Sequence, residues 1–215
     1  MQAWFSPSTR AAVKAAVQDV ESRTNAEIVV AVRKTSGTYF HADLLGGLVF
    51  AFASLAFFLY YPEPFAYTLF PLEQLVVLAS GAFLTNAIHP LRRVLSGRRL
   101  LRASVDRSAR ATFMELRLGR TRGRNAVLVY VSIYERRAFV VCDVGLDEGQ
   151  LGPTWIDLRD AMNHAVRDND VPSFLLAVRA MGPILATEAP HTAADTNELP
   201  DDESDEAASA TQEGA

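Results

Sequence analysis

The sequence contains one cysteine, Cys142, among its 215 residues. A single thiol excludes an intramolecular disulfide framework and is typical of a chain that works in a reducing compartment. The four histidines are scattered, and none has the spacing of a zinc site. The first 25 residues contain no apolar core of a secretory signal peptide. We therefore expect no disulfide, no zinc site and no cleaved signal.

The common catalytic signatures are also missing from the sequence. It contains no glycine-rich loop of the P-loop or dinucleotide-binding type and no Gly-x-Ser-x-Gly motif. Cys142 lies in an apolar run without a sequence partner for a nucleophilic pair, so we interpret it as a buried, unreactive thiol. These absences argue against an enzyme that works through a nucleophilic side chain.

Positive and negative charges are segregated along the chain. No lysine or arginine follows Arg179, and residues 188–215 are rich in acid, which predicts a disordered acidic tail. Between Arg92 and Arg124 the balance is reversed, with eleven arginines against two acids. Phe113 is the only aromatic residue in that stretch, whereas proteins that bind single strands combine cations with aromatic stacking platforms. We therefore expect no nucleic-acid partner.

Two long apolar segments occupy the first half of the chain. Residues 44–61 carry no charge, and His89 is the only titratable group in residues 74–91. A helix of about 20 apolar residues crosses the ~30 Å of hydrocarbon in a bilayer. The alternative is a buried helical pair of a soluble core, but two such runs with a proline-rich joint favour membrane spans. Residues 44–61 and 74–91 are therefore predicted to lie in the lipid bilayer.

The charges beside these two segments predict their orientation. The joint between them has no lysine or arginine, whereas Arg33 and Lys34 precede the first segment and arginines follow the second. By the positive-inside rule, both termini lie in the cytoplasm, so we expect an integral protein of the cytoplasmic (inner) membrane. The arginines expected to contact anionic lipid headgroups are Arg92, Arg93, Arg98, Arg99 and Arg102.

The remaining sequence, 1–42 plus 92–187, predicts one α/β domain that is interrupted by the hairpin 43–91. Strands are indicated at 27–33, 126–132 and 138–143 by their β-branched, apolar composition. The last two runs are apolar almost throughout, which is typical of a sheet covered on both faces. The predicted fold is a three-layer α/β/α sandwich interrupted by a two-helix transmembrane hairpin.

Local signals predict the helices of this domain. Ser6 and Pro7 begin a helix that extends to about residue 24. Helices are also predicted at 96–118 with a stop at Gly119, at 154–166 with a capping box of Thr154 and Asp157, and at 171–186 after a cap by Asp170.

Several segments resemble the TPM domain family, an α/β/α fold that includes many bacterial membrane-associated proteins. The segments that carry the resemblance are 26–32 (AEIVVAV), 113–137 (FMELRLGRTRGRNAVLVYVSIYERR), 140–149 (VVCDVGLDEG), 154–162 (TWIDLRDAM) and 195–201 (DTNELPD). The last resembles an ending found in a membrane-bound subgroup. The chain departs from the family at Ala126, where glycine is frequent, and by one extra acid within 147–149.

The resemblance also implies candidate chemistry. Some TPM-domain proteins are described as acid phosphatases, and acidic loops near the strand ends are reported to bind divalent cations. Asp143 and Asp147 straddle the turn after the third strand and are the best-placed pair for calcium or magnesium. Arg124 and Asn125 precede the second strand and are candidate phosphate ligands, since a guanidinium group binds phosphate oxygens in pairs. The structural alternative makes Asp143 a turn former and leaves these arginines to lipid headgroups or to the domain's own acids.

Two functions therefore stay open. The first is a membrane-anchored TPM-domain protein whose cytosolic α/β domain is an interaction or assembly module for an unidentified protein partner, in a role such as envelope-protein maintenance. The alternative is a phosphatase that uses a divalent metal at Asp143 and Asp147 with Arg124 as a phosphate clamp. A transporter or channel is disfavoured, because the two predicted spans contain no Asp, Glu, Lys or Arg.

Overall fold

A computed structural model of the chain describes residues 2–61, 69–121, 123–190 and 202–204. The chain divides into two compact units. The sheet unit comprises Met1–Ser36 and Ser104–Ala215, and the helical unit is Gly37–Ala103. The hairpin segment 43–91 predicted from the sequence falls within the helical unit.

The sheet unit is built on four strands in the order β3-β2-β1-β4. β1 (Ile28–Arg33) and β2 (Val127–Ser132) pair in parallel, and β3 (Arg137–Cys142) pairs antiparallel with β2. These three strands match the predicted ones to within one residue at each end. β4 (Asp202–Ser204) pairs in parallel with β1 and is a strand that we did not expect within the acidic tail. The other tail residues from 191 onwards lie outside the described part of the chain.

Helix starts in the sheet unit follow local chemistry in two places. Ser6 Oγ accepts a hydrogen bond from the Thr9 N–H at 3.1 Å, and Asp170 Oδ1 accepts one from the Ser173 N–H at 3.1 Å. Both caps were predicted, and each satisfies an amide that the first helical turn leaves without a partner. The helices are α1 (Gln2–Phe5), α2 (Pro7–Glu21), α7 (Gly152–Asp168), α8 (Val171–Arg179), α9 (Met181–Glu188) and, from Ser104 onwards, α6 (Arg98–Glu115).

Other helix ends differ from the prediction. α6 ends before Arg117, which has a left-handed φ of 56°, so Gly119 is not the stop and lies in a following 3-10 turn. Thr154 and Asp157 lie inside α7, where no side chain caps the first turn, so the predicted capping box is not formed. The predicted helix 171–186 is divided into α8 and α9 at Ala180.

Apolar side chains cover both faces of the sheet. Val30 and Val129 point to one face, where they join Trp155 of α7 in a core shared with α2, α8 and α9. Val29 and Leu128 point to the other face and belong to a second cluster with side chains of α6. β2 is buried along its whole length, as its continuous apolar sequence indicates. The chain therefore belongs to the mixed α/β class.

The helical unit contains two long antiparallel helices, α3 (Phe40–Tyr60) and α4 (Phe70–Ala87). Small residues line their contact. A Cβ atom added to Gly46 would lie 1.9 Å from Thr85 Oγ1, and one added to Gly81 would lie 2.7 Å from the Cβ atom of Phe50. The two backbones therefore approach each other closely because glycine lies at both points, as in tightly packed membrane helices.

The large apolar side chains of α3 and α4 point outward. Phe52, Leu59, Leu75 and Phe83 are each more than 60% exposed. A helix on a soluble domain shows the opposite arrangement, with its large apolar side chains facing the core. α3 has 21 residues and a mean hydropathy of 2.0 in its most apolar window, so it is long and apolar enough to cross a membrane.

The second predicted span is not one straight helix. We expected residues 74–91 to be continuous, but α4 ends at Ala87 and α5 (His89–Ser96) follows at a bend of 100°. Pro90 explains the break, because proline has no N–H to continue the hydrogen-bond ladder of α4. By length and composition, the described residues hold one helix able to cross a membrane, or two if α4 and α5 count as one bent span.

The glycine contact between α3 and α4 predicts a position-specific effect. We expect Gly46→Leu to lower the free energy of unfolding of the helical unit by about 1–3 kcal/mol, because the added side chain overlaps Thr85. Ala53→Leu is the matched control, since Ala53 is exposed on the same helix. Thermal unfolding of both variants in detergent micelles measures the difference, and equal stabilities would contradict the packing.

Candidate functional site

The four candidate ligand residues lie at the amino ends of β1 and β2. Arg124 and Asn125 precede β2, and Asp143 follows β3 with Asp147 four positions later. Because β3 is antiparallel, its carboxyl end at Cys142 pairs with the first residue of β2. Ligand sites in open α/β sheets gather at the carboxyl ends of the parallel strands. The candidate residues are therefore at the opposite end of the sheet from the position that this rule favours.

Arg124 and Asp143 form an ion pair at this end of the sheet. The distances are 3.3 Å from Arg124 Nε to Asp143 Oδ2 and 3.4 Å from Nη2 to Oδ1. The Asp143 side chain is only 4% exposed, and its Oδ1 also accepts the Val144 N–H at 2.7 Å. The Gly145 N–H donates to the Arg124 carbonyl at 2.8 Å, and a Cβ atom on Gly145 would lie 2.3 Å from that oxygen. The two loops thus hold the guanidinium group against the buried carboxylate.

This arrangement does not fit a divalent cation at Asp143. A metal ion would compete with the guanidinium group for the same two oxygens, and hard cations bind at sites with several oxygen ligands. Within the described ranges, no three His, Cys, Asp or Glu side chains are placed to hold a metal ion together. The assignment of Asp143 and Asp147 as metal ligands stays a prediction, and the geometry at Asp143 argues against it.

Asp147 and Asn125 make local structural contacts. Hydrogen bonds from the Gln150 side chain at 3.1 Å and the Gly149 N–H at 2.9 Å lower the pKa of the exposed Asp147 carboxyl. The Asn125 side-chain amide donates to the Asn25 carbonyl and is buried. The Arg124 side chain remains 55% exposed, so it is the better of the two predicted phosphate ligands. Phosphate binding by Arg124 and Asn125 stays a prediction.

Cys142 lies beside this cluster and is held as a neutral thiol. Burial, with the nearby Glu148 carboxylate as a smaller cause, raises the pKa of the thiol to about 12. Because the thiolate is the nucleophile, a thiol with this pKa is unreactive at neutral pH. Cys142 is half-buried rather than fully buried, and its raised pKa agrees with the interpretation of an unreactive thiol.

A second cluster, which the sequence analysis did not single out, lies at the carboxyl ends of the two parallel strands. We refer to it as the carboxyl-end cluster. Its residues come from the segment after β1, the second half of β2, the β2–β3 turn and α6. They are, in that order, Thr35, Ser36, Tyr130, Ser132, Glu135 and Ser108. The signal that could have found it is positional, because polar residues follow two strands that turn out to be parallel neighbours.

Hydroxyl groups in the carboxyl-end cluster form a directed chain. Ser36 Oγ donates to Ser132 Oγ at 2.7 Å, and Ser132 Oγ donates to Glu135 Oε2 in a short hydrogen bond. Ser36 has one hydroxyl proton, so the 3.1 Å contact with Tyr130 must use the phenol as donor. Burial raises the pKa of Tyr130, which keeps the phenol protonated for this role. The chain runs from Tyr130 through two serines to a carboxylate.

Glu135 connects the end of β1 to the β2–β3 turn. Its Oε1 accepts the Ser36 N–H at 2.9 Å and the Thr35 hydroxyl at 3.3 Å. Ser108 of α6 donates its hydroxyl to the Ser36 carbonyl at 2.8 Å. Glu135 thus organises the point where the chain leaves the sheet unit after β1.

The carboxyl-end cluster is placed for structure rather than for turnover. Tyr130, Ser132 and Glu135 are each more than 90% buried, so a substrate has no access to the carboxylate or to the serine it bonds. Buried polar networks with all members bonded are rigid and stabilise one arrangement of the elements they join. We interpret this cluster as the connection that fixes β1, β2 and α6 to one another.

The Arg124–Asp143 pair predicts a non-additive mutational effect. We expect Arg124→Ala to lower the free energy of unfolding by about 1–3 kcal/mol, because it leaves a buried carboxylate without its cation. Adding Asp143→Asn should restore part of this loss, since no buried charge then remains. Denaturant unfolding of the two single variants and the double variant measures the coupling. If the two effects add to within about 0.5 kcal/mol, Arg124 and Asp143 do not stabilise each other, which would contradict the ion pair.

The raised pKa of Cys142 predicts slow labelling of the native protein. At pH 8 the native thiolate fraction should be lower than in the unfolded chain by a factor on the order of a thousand. The neutral thiol stabilises the fold below about pH 8.5, and this contribution is lost as the pH rises towards about 12. Maleimide labelling with and without denaturant measures the ratio, with Cys142→Ser as the blank. Equal rates would show that the thiol is accessible and ionised.

Comparison with known proteins gives one structural match. No protein-family model matches the chain, and no curated protein matches it. The chain is similar to the NMR structure of the BA42 protein from the psychrophilic bacterium Bizionia argentinensis, with 16% identity and a TM-score of 0.55. The match covers 93% of this chain and 94% of that one. At this identity the likeness shows a shared mixed α/β fold.

Proposed function

We propose that the protein is an integral protein of the cytoplasmic membrane, of the TPM type, whose cytosolic α/β unit is an interaction or assembly module. In this proposal the sheet unit is a three-layer α/β/α sandwich interrupted by a two-helix transmembrane hairpin, and both termini are cytoplasmic. Envelope-protein maintenance is the role that this architecture suits, because the module is held at the membrane surface.

The outward apolar surface of α3 and α4 is the observation that carries the proposal. Glycine and threonine fill the contact between the helices, while large side chains such as Phe52 and Phe83 face outward. In water, exposing this surface costs about 25 cal/mol of free energy for each Å² of apolar area, whereas contact with lipid tails carries no such cost. A lipid environment therefore explains why the large side chains are on the outside.

An ion pair between the start of α3 and α5 supports the membrane proposal. Asp43, in the first turn of α3, is buried, and its Oδ1 lies 2.7 Å from Arg92 Nε. Arg92 also lies over the Tyr39 ring, 6.0 Å from its centroid. A charge close to the hydrocarbon is tolerated when it is paired, and an acid at a helix N-terminus is further stabilised by the helix dipole. This pair joins the first turn of α3 to α5 without leaving an isolated charge.

The ion pair with Asp43 changes the set of cations available to lipids. Arg92 was expected to contact headgroups, but its guanidinium group is held by Asp43 at two points. Arg98, Arg99 and Arg102 are exposed at the start of α6. Each cation near an anionic surface adds about 1 kcal/mol of attraction, so these three arginines are the better candidates for headgroup binding.

The phosphatase alternative has no observation of its own in its favour. Its proposed clamp, Arg124, lies against the proposed metal ligand Asp143, and Asn125 donates to a backbone carbonyl. Cys142 is a protonated thiol, and the serine bonded to Glu135 is buried. We therefore keep the interaction module as the proposed function.

Membrane integration can be tested on the outward face of α3. We expect the wild-type protein to stay with membranes after alkaline carbonate extraction. The pair Phe52→Arg and Leu55→Arg should release most of it, because each arginine at the centre of a span costs about 2.5–3.5 kcal/mol. The retained fraction is measured by sedimentation and immunoblotting.

Met114→Arg is the control, because Met114 is an apolar residue on α6 in the sheet unit and is more exposed than Phe52 and Leu55. It should stay with the membrane like the wild type.

In the same vesicles, sealed right side out, an added protease should cut only the joint between α3 and α4. Release of the wild type by carbonate, or cleavage of its termini from outside, would contradict the proposal.

A further inference from the structure

The edge of β1 that faces away from β2, here called its outer edge, carries backbone groups that a further strand can bond. The Val127 N–H donates to the Glu27 carbonyl at 2.7 Å and the Ile133 N–H to the Arg33 carbonyl at 3.1 Å, so odd-numbered residues of β1 bond to β2. Backbone groups of alternate residues in a strand point to opposite edges. Val30 and Val32 therefore present their N–H and C=O groups to the outer edge of β1.

These backbone groups are costly to leave without partners. With β4 paired to this edge, Val30 and Val32 are 0% and 4% exposed, and a buried backbone group that makes no hydrogen bond costs about 1–3 kcal/mol. The amide before them on this edge is already satisfied, because the Ile28 N–H donates to Glu21 Oε1 at 3.0 Å. The outer edge thus has two positions whose backbone groups an extended segment satisfies together.

The chain's own tail supplies that segment. β4 places Asp202 beside Val30 and Ser204 beside Val32, in a parallel register. In a parallel ladder, the intervening Glu203 is the residue whose backbone groups face the two valines. The tail begins at the amino end of β1, where the Asn25 N–H donates to the Ala189 carbonyl at 2.8 Å.

The occupying segment is a poor strand by composition. Asp, Glu and Ser have low or unremarkable preference for strands, and β4 has only three residues. Residues 191–201 connect it to Pro190, so its pairing is favoured by the high effective concentration of a tethered segment. A better ligand supplied by another molecule can therefore replace it on the β1 edge.

The charges on neighbouring elements indicate which ligand fits. β4 carries two acids, and β1 ends at Arg33, which is followed by Lys34. α2, which contacts β4, carries Arg10 and Lys14 on its first three turns. Its acids, Asp19 and Glu21, lie near its other end, and Glu21 bonds the Ile28 N–H at the amino end of β1. β4 pairs with Val30–Val32, towards the carboxyl end of β1 that Arg33 and Lys34 follow, and positive charge at that end favours an acidic segment over a neutral or basic one.

We propose that the outer edge of β1 is a docking site for an extended acidic segment of a partner protein, and that the tail occupies this site in cis. The inference rests on the proposed interaction module and names its binding surface. Recognition is by strand addition, in which backbone hydrogen bonds to Val30 and Val32 supply affinity and acidic side chains supply preference. The tail then acts as an internal competitor of the partner.

A labelled peptide of residues 198–208 is the probe, and fluorescence anisotropy in lipid nanodiscs is the measurement. The full chain with Glu203→Pro keeps the tail but removes one backbone donor of β4. We expect this variant to bind the peptide at least about tenfold more tightly than the wild type, whose edge is already occupied. A peptide that itself carries proline at position 203 should not bind either protein.

Amide hydrogen exchange gives the second readout. The β1 amides should lose protection in Glu203→Pro and regain it when the peptide is added. Ala208→Pro, elsewhere in the tail, is the control and should behave like the wild type. Equal peptide binding by wild type and Glu203→Pro, or unchanged exchange at β1, would overturn the docking site. All these proteins should remain in the membrane, so failure here is distinguishable from failure of the membrane proposal.

Discussion

The parallel pairing of β1 with β2 is the constraint on which the rest of the sheet unit depends. Two parallel neighbours cannot be joined by a tight turn, because the chain must return to the starting end of the sheet before the second strand begins. Here the connection leaves β1 at Ser36, and its return element is α6, whose side chains cover one face of both strands. A connection of this kind can be lengthened where it leaves the sheet, since extra residues add loop entropy only slowly. The helical unit Gly37–Ala103 lies within this connection.

The carboxyl-end cluster belongs to the same constraint. A long connection gives β1 and β2 no local reason to stay in register, and a parallel pair has no turn to align it. Glu135 bonds to the residues after β1 from a turn that follows β2, and Ser108 bonds to the same segment from α6. Three parts of the chain that are far apart in sequence are thus fixed at one point. A carboxylate suits this role because it accepts several hydrogen bonds at once.

Much of the sheet unit could be predicted from the sequence because its signals are local. Three strands and the caps at Ser6 and Asp170 follow from apolar runs and from side chains that bond amides three residues on. The predicted capping box at Thr154 and Asp157 was wrong, although it too rested on a local signal. α7 begins earlier, with Leu151 at its cap position. Only the tertiary structure determines which of two plausible starts a helix uses.

The candidate site was less predictable because it depends on strand direction. The composition of β3 indicates a strand but not whether it is parallel to β2, and this decides which end of the sheet Asp143 occupies. An expectation based on strand ends therefore selected Asp143, whereas the polar residues at the carboxyl ends of the parallel pair include Ser132 and Glu135. The sequence left Arg124 open to phosphate, to lipid headgroups or to one of the domain's own acids, and the structure pairs it with the acid Asp143, beside the close contact at Gly145.

The two units follow opposite packing rules, and this contrast is the strongest physical argument about the environment of the chain. In the sheet unit, Trp155 and Phe174 are buried and polar groups are outside or bonded. In the helical unit, glycines are buried and phenylalanines are outside. One solvent cannot favour both arrangements, because water penalises the exposed apolar surface of the second unit. The proposed lipid environment of the helical unit accounts for this contrast, because lipid tails accept outward phenylalanines at no cost.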